Sequence, residues 1–122
     1  MNLKIYQSYY EDLQIQSLEE DFIPYSNLEN KNPELREYVF FKDLYNKHIN
    51  SEDYWGLVSW RWKEKTFLDG KEFKNWILTN PDSDVYFIDP SNVEFIQHPN
   101  LWVQGDIWHR GMIKYCNRLF PK

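Results

Sequence analysis

The chain of 122 residues is short of several things, and each shortage narrows what it can be. It has one cysteine, Cys116, so no disulfide can close within it and no zinc site of the multi-cysteine type can form. Even with a polar helical segment around it, a lone cysteine reads as a buried, inert helix residue. The three histidines, His48, His98 and His109, show no metal-ligand spacing. No apolar run approaches the ~18 residues that cross a bilayer. The opening Met1-Asn2-Leu3-Lys4 also lacks the apolar core of a signal peptide, so the expectation is a soluble, cytoplasmic protein without a transmembrane segment. Cations are outnumbered, 14 Lys and Arg against 19 Asp and Glu, for a net charge of −5. That balance argues against nucleic-acid binding, which draws its affinity from clustered Lys and Arg. The cationic run Arg61, Lys63, Lys65 is broken by Trp62 and Glu64 and is too short to reverse the argument. With only 4 glycines, there is no Gly-rich phosphate loop, and neither a G-x-S-x-G elbow nor an H-E-x-x-H helix occurs.

What is plentiful is aromatic surface: 6 Trp, 9 Tyr and 8 Phe, 19% of the chain. Each ring buries a large area at low entropic cost, which supplies a core without covalent staples. A core of this size does not hide every ring, so some are expected to line a groove or a contact surface. The length suits one domain spanning residues 1–122.

Leu3 to Tyr9 alternates in the manner of a strand, and Asp12 to Ser17 suits a turn of helix. Pro24 holds Phe22-Ile23-Pro24-Tyr25 extended, and a polar loop follows to Asn32. Asn32 as cap, Pro33 at the first helical position and Glu34 at the positive end of the dipole predict a helix. Leu35, Tyr38, Val39, Tyr45 and Ile49 recur along it at helical spacing. Tyr54 to Trp62 reads as a second strand, in which Gly56 marks a bulge or a close approach. Asp69 and Glu72 form a capping pattern for a helix that buries Phe73, Trp76 and Ile77 and stops at Pro81. The apolar run Val85-Tyr86-Phe87-Ile88 reads as an interior strand. Asp106 to Phe120 reads as a last helix, with Gly111 inside it. The order β-α-β-α-β-α predicts a small three-layer α/β domain with a mainly parallel sheet. In such sheets ligands bind beyond the carboxyl ends of the strands, here Ser8 to Asp12, Ser59 to Lys65 and Ile88 to Asn92.

Three groups of residues could carry chemistry. Asp82-Ser83-Asp84 could hold a hard divalent ion, but it stands before a strand, at the wrong end for a ligand, and reads better as a turn after Pro81. Asp89, at the favoured end, is the better single acid. Asp106 and His109 are neighbours on one helical face, with Arg110 able to meet a phosphate. A helix cap and a surface histidine explain the same residues more simply. Trp60 and Trp62 flank a cationic strand end where Arg61 or Lys65 could meet phosphate while a ring stacks on a sugar or base. Core packing is the plainer account of those rings. A hydrolase built on Asp89, Asp106 and His109 would need those groups to converge.

Four segments together carry a resemblance: Lys4-Ile5-Tyr6-Gln7, Tyr54-Trp55-Gly56-Leu57-Val58-Ser59-Trp60-Arg61-Trp62-Lys63-Glu64-Lys65-Thr66, Asp84-Val85-Tyr86-Phe87-Ile88-Asp89-Pro90, and Trp102-Val103-Gln104-Gly105-Asp106-Ile107-Trp108-His109. They resemble an uncharacterised bacterial group of glycosyltransferase-like proteins that accompanies surface-polysaccharide biosynthesis. That group is similar to the amino half of GT-A nucleotide-sugar transferases, a half GT-A or Rossmann-like fold. The resemblance implies a nucleotide-sugar or glycan as ligand, with a divalent metal as the accompanying cofactor. The expected substrate-binding residues are Ser8, Trp60, Arg61, Trp62, Lys65 and Asp89 from the strand ends, with His109 from the last helix. GT-A enzymes carry their metal-binding D-x-D after a central strand, followed by an acceptor-binding half. The D-x-D here precedes a strand, so donor binding is expected rather than sugar transfer. The alternative is a non-catalytic module that assembles with a protein partner or with itself.

Overall fold

The computed structural model describes residues 2–35, 37–88 and 110–119. The chain divides into two compact units, Met1–Tyr86 and Phe87–Lys122. In the first unit the elements run β1 (Leu3–Tyr9), a 3-10 helix (Asp12–Ser17), β2 (Ile23–Ser26), a 3-10 turn (Pro33–Leu35), α1 (Tyr38–His48), β3 (Tyr54–Ser59), α2 (Trp62–Thr66) and α3 (Gly70–Thr79). The three strands form one all-parallel sheet in the order β2-β1-β3. The α/β class expected from the alternating sequence is therefore what is observed.

β1 is the centre of the sheet because both of its faces are covered. Ile5, Tyr6, Gln7 and Ser8 are all buried in succession, the pattern of an interior parallel strand. On the face that carries Tyr6, α1 supplies Phe40, Leu44 and His48, a buried stripe at a spacing of four. Tyr6 Oη and His48 Nε2 are hydrogen-bonded at 3.0 Å, and the His48 ring stacks on Trp55 of β3. Ile23 is exposed, whereas Phe22, just ahead of β2, is buried. From there a chain of rings runs through Trp62 at 5.5 Å and Phe73 at 4.8 Å to Trp76 at 6.2 Å, measured between successive centroids. Lys4 and Asn2 both donate to the Asp53 carboxylate, which ties the amino ends of β1 and β3 together.

α3 starts where its sequence says. Glu72 N donates to Asp69 Oδ1 at 2.7 Å and Asp69 N donates to Glu72 Oε2 at 3.1 Å, a complete capping box. Phe73 and Ile77 are buried, while Trp76 is half-exposed. α1 carries a second apolar stripe, Tyr38, Phe41 and Tyr45, on its exposed side, continued by its C-cap Ile49.

Several expectations are corrected. The third strand is Ile23–Ser26, not Val85–Ile88. The latter has no ladder partner among the described residues, and Val85 and Phe87 are exposed. Pro24 fits β2 because an edge strand does not need every N–H. β3 stops at Ser59, three residues before its expected end; Trp60 and Arg61 form a turn and Trp62 opens α2. Gly56 is in unbroken register with Ile5, so there is no bulge, and among the described residues nothing approaches within 4 Å of where its Cβ would be. The helix expected from Pro33 begins as a 3-10 turn and becomes α-helical only at Tyr38.

In the second unit, the described helix α4 spans Met112–Leu119 and includes Cys116. Gly111 stands ahead of this helix at φ 86°, a left-handed conformation suited to glycine, rather than inside it. Asp89, Asp106 and His109 lie outside the described residues, and Arg110 is exposed. Among the described residues, no helix is long and apolar enough to cross a membrane.

Candidate functional site

The chain leaves β1 for β2 on one side and crosses back to β3 on the other, so strand order reverses between β1 and β3. Open parallel sheets hold ligands at such a reversal, beyond the carboxyl ends of the two strands. A cleft of about 480 Å³ lies there. The end of β1 contributes Ser8, Tyr9 and Tyr10, and the loop after β2 contributes Asn27, Leu28 and Asn30. Glu37 and Phe40 come from the start of α1; Ser59, Trp60, Arg61 and Lys65 come from the end of β3 and from α2. All three strands thus point their carboxyl ends at one concavity.

Backbone placement explains why these side chains meet. Gln7 is fully buried, and its Nε2 donates to the carbonyls of Ser59 at 3.2 Å and Trp60 at 3.4 Å. That holds the turn after β3 against β1. Ser8 Oγ donates to Val58 O at 3.3 Å, and Ser59 Oγ accepts from Arg61 N at 3.1 Å. Each hydroxyl keeps further capacity for a ligand, Ser8 as acceptor and Ser59 as donor. Asn27 N donates to Tyr9 O at 2.7 Å, which sets the β2 loop beside the end of β1. The Tyr10 ring meets Trp60 edge to face at 6.5 Å, and the Arg61 guanidinium lies 6.0 Å from the Trp60 ring centroid. Arg61 also forms a forked ion pair with Glu64. The guanidinium's hydrogen bonds hold the Glu64 carboxyl below its ordinary range, and the same bonds raise Arg61.

Of the residues expected to bind substrate, Ser8, Trp60, Arg61 and Lys65 come together around this cleft. Trp62 does not line it. Opening α2 one turn later, Trp62 is directed into the core between Phe22 and Phe73, where its Nε1 has no hydrogen-bond partner among the described residues. Asp89 and His109 fall outside the described residues. Sequence reasoning missed the opposite wall, Asn27, Asn30 and Glu37. The signal was there: with Ile23–Ser26 taken as a strand, its carboxyl end would have led to Asn27.

Compared with protein-family models, with curated proteins and with solved structures, the chain has no match.

The described residues do not supply a donor set for a divalent metal at the cleft. Asp82 and Asp84 are exposed around the turn after Pro81 and do not line the cleft. Glu37 is the one carboxylate among the cleft's described residues, and a hard cation wants several oxygen ligands. The described residues of the cleft offer two cations, hydroxyls, amides and an aromatic wall, groups suited to recognising a polar ligand.

Proposed function

We propose that the Met1–Tyr86 unit is a glycosyltransferase-like binding domain of the cytoplasm. Its ligand is a nucleotide-sugar of polysaccharide biosynthesis, held without transfer chemistry of its own. The observation that carries this reading is the convergence of Ser8, Ser59, Trp60, Arg61 and Lys65 on one cleft at the strand-order reversal. Arg61 and Lys65 suit the phosphates, the guanidinium by its fork and the ammonium as a point charge. The Trp60 face suits a base or a sugar ring. On the facing wall Asn27, Asn30 and Glu37 offer donors and acceptors to sugar hydroxyls.

Titration with UDP- and GDP-sugars, followed by tryptophan fluorescence and thermal melting, tests the reading. One donor is expected to give a saturable fluorescence change and a higher Tm. Lys65→Ala should weaken that donor about tenfold, the scale of one lost charged contact. Trp60→Phe should remove most of the fluorescence response while the fold persists. No response to any donor at millimolar concentration would end the proposal.

A further inference from the structure

Arg61 is the forked cation of the cleft, and its fork is taken up by Glu64. Nε donates to Glu64 Oε2 at 2.8 Å, and Nη2 donates to the other carboxylate oxygen. Two parallel N–H groups on two oxygens is also how a guanidinium grips a phosphate. Glu64 is not a cleft residue. It lines a neighbouring depression of about 380 Å³, and Trp60 and Arg61 form the partition between the two. The carboxylate therefore holds the guanidinium from outside the cleft. With side-chain exposures of 46% and 59%, Arg61 and Glu64 form a solvated pair three residues apart, the kind that contributes little stability and exchanges partners at low cost.

We propose that Glu64 is an internal stand-in for the phosphate of the ligand. It parks Arg61 at the mouth of the cleft and yields it to a phosphate-bearing ligand. This rests on the cleft reading above and narrows it to nucleoside diphosphates and their sugars, with neutral glycans excluded. Charge decides the exchange. A diphosphate brings more negative charge than one carboxylate and also meets Lys65, which lines the same cleft. Hydroxyls of a neutral glycan bring no charge with which to displace Glu64. Glu37 on the facing wall further disfavours an anion placed away from the two cations.

The test measures UDP and maltotriose binding by calorimetry on the whole chain, as wild type, Glu64→Gln, Arg61→Gln and the double variant. Glu64→Gln is expected to bind UDP about three- to fivefold more tightly, the scale of an exposed ion pair removed from the competition. Arg61→Gln should bind UDP more weakly, and in the double variant the gain from Glu64→Gln should disappear. Maltotriose should bind no variant appreciably. If wild type binds UDP but Glu64→Gln binds it equally or less well, the stand-in role is overturned while the cleft reading survives. If neither wild type nor Glu64→Gln binds UDP, both fall. Maltotriose binding more tightly than UDP would also overturn the proposal. Thermal melts establish that the variants are folded.

Discussion

Gln7 sits in the middle of β1 with no exposed surface, and its amide is used on both sides of the strand's carboxyl end. Nε2 serves the Ser59 and Trp60 carbonyls, and Oε1 accepts from Glu19 N at 2.7 Å. One side chain therefore fixes the turn that presents Trp60 and the segment that leads into β2. In the sequence, Gln7 was only one step of an alternating strand; nothing local says that a polar residue there is buried and fully bonded. Gln7→Leu keeps the volume but leaves three backbone groups without this partner. The expected cost is about 2–4 kcal/mol, since each buried polar group left unpaired costs on the order of 1–3 kcal/mol. Urea unfolding would read this loss, and a change under ~0.5 kcal/mol would show that water replaces the amide freely.

Between elements, Tyr25 of β2 clips the edge strand to α1. Its hydroxyl donates to Asp43 Oδ2, and its ring packs 5.4 Å from Phe40 and edge-on to Tyr6. Burial, followed by the Asp43 hydrogen bond, pushes the Tyr25 hydroxyl from 10.0 up to about 12. Ionisation is therefore costlier in the folded chain than in the unfolded one. The clip's contribution is whole below pH 10 and fades as the pH climbs towards about 12. Wild type should be more stable than Tyr25→Phe at neutral pH, and the difference should close across that window. A difference independent of pH would mean that the hydroxyl is not held in its neutral form. Elements differ in how far sequence reveals them, and the reason is the range of the forces involved. The α3 start was legible because Asp69 and Glu72 satisfy each other's backbone within four residues. β2 was legible only as an extended piece, because its four residues become a strand through pairing with β1, well back along the chain. The cleft divides in the same way. Trp60, Arg61 and Lys65 follow a strand whose end is easily sensed, whereas Trp62 turned inward because β3 stopped at Ser59 and α2 began.

Across the Met1–Tyr86 unit, the strand order makes a specific claim about which backbone is hardest to open. β1 is paired on both sides, to β2 and to β3, whereas β2 is paired through four residues, one of them Pro24. Opening β1 must break both ladders and expose Ile5, Tyr6 and Gln7, so it approaches global unfolding in free energy. β2 can detach while β1 and β3 stay joined. Val85–Ile88 has no ladder to break among the described residues. Hydrogen exchange should therefore be slowest in peptides covering Lys4–Ser8, faster in Ile23–Ser26 and fastest in Val85–Ile88. The reverse ranking, with Val85–Ile88 slow, would restore that run as the interior strand its composition first suggested. The cleft lies at the β1–β3 reversal and needs β1 to be central, so exchange in Lys4–Ser8 no slower than in Ile23–Ser26 would overturn that placement as well as the strand order.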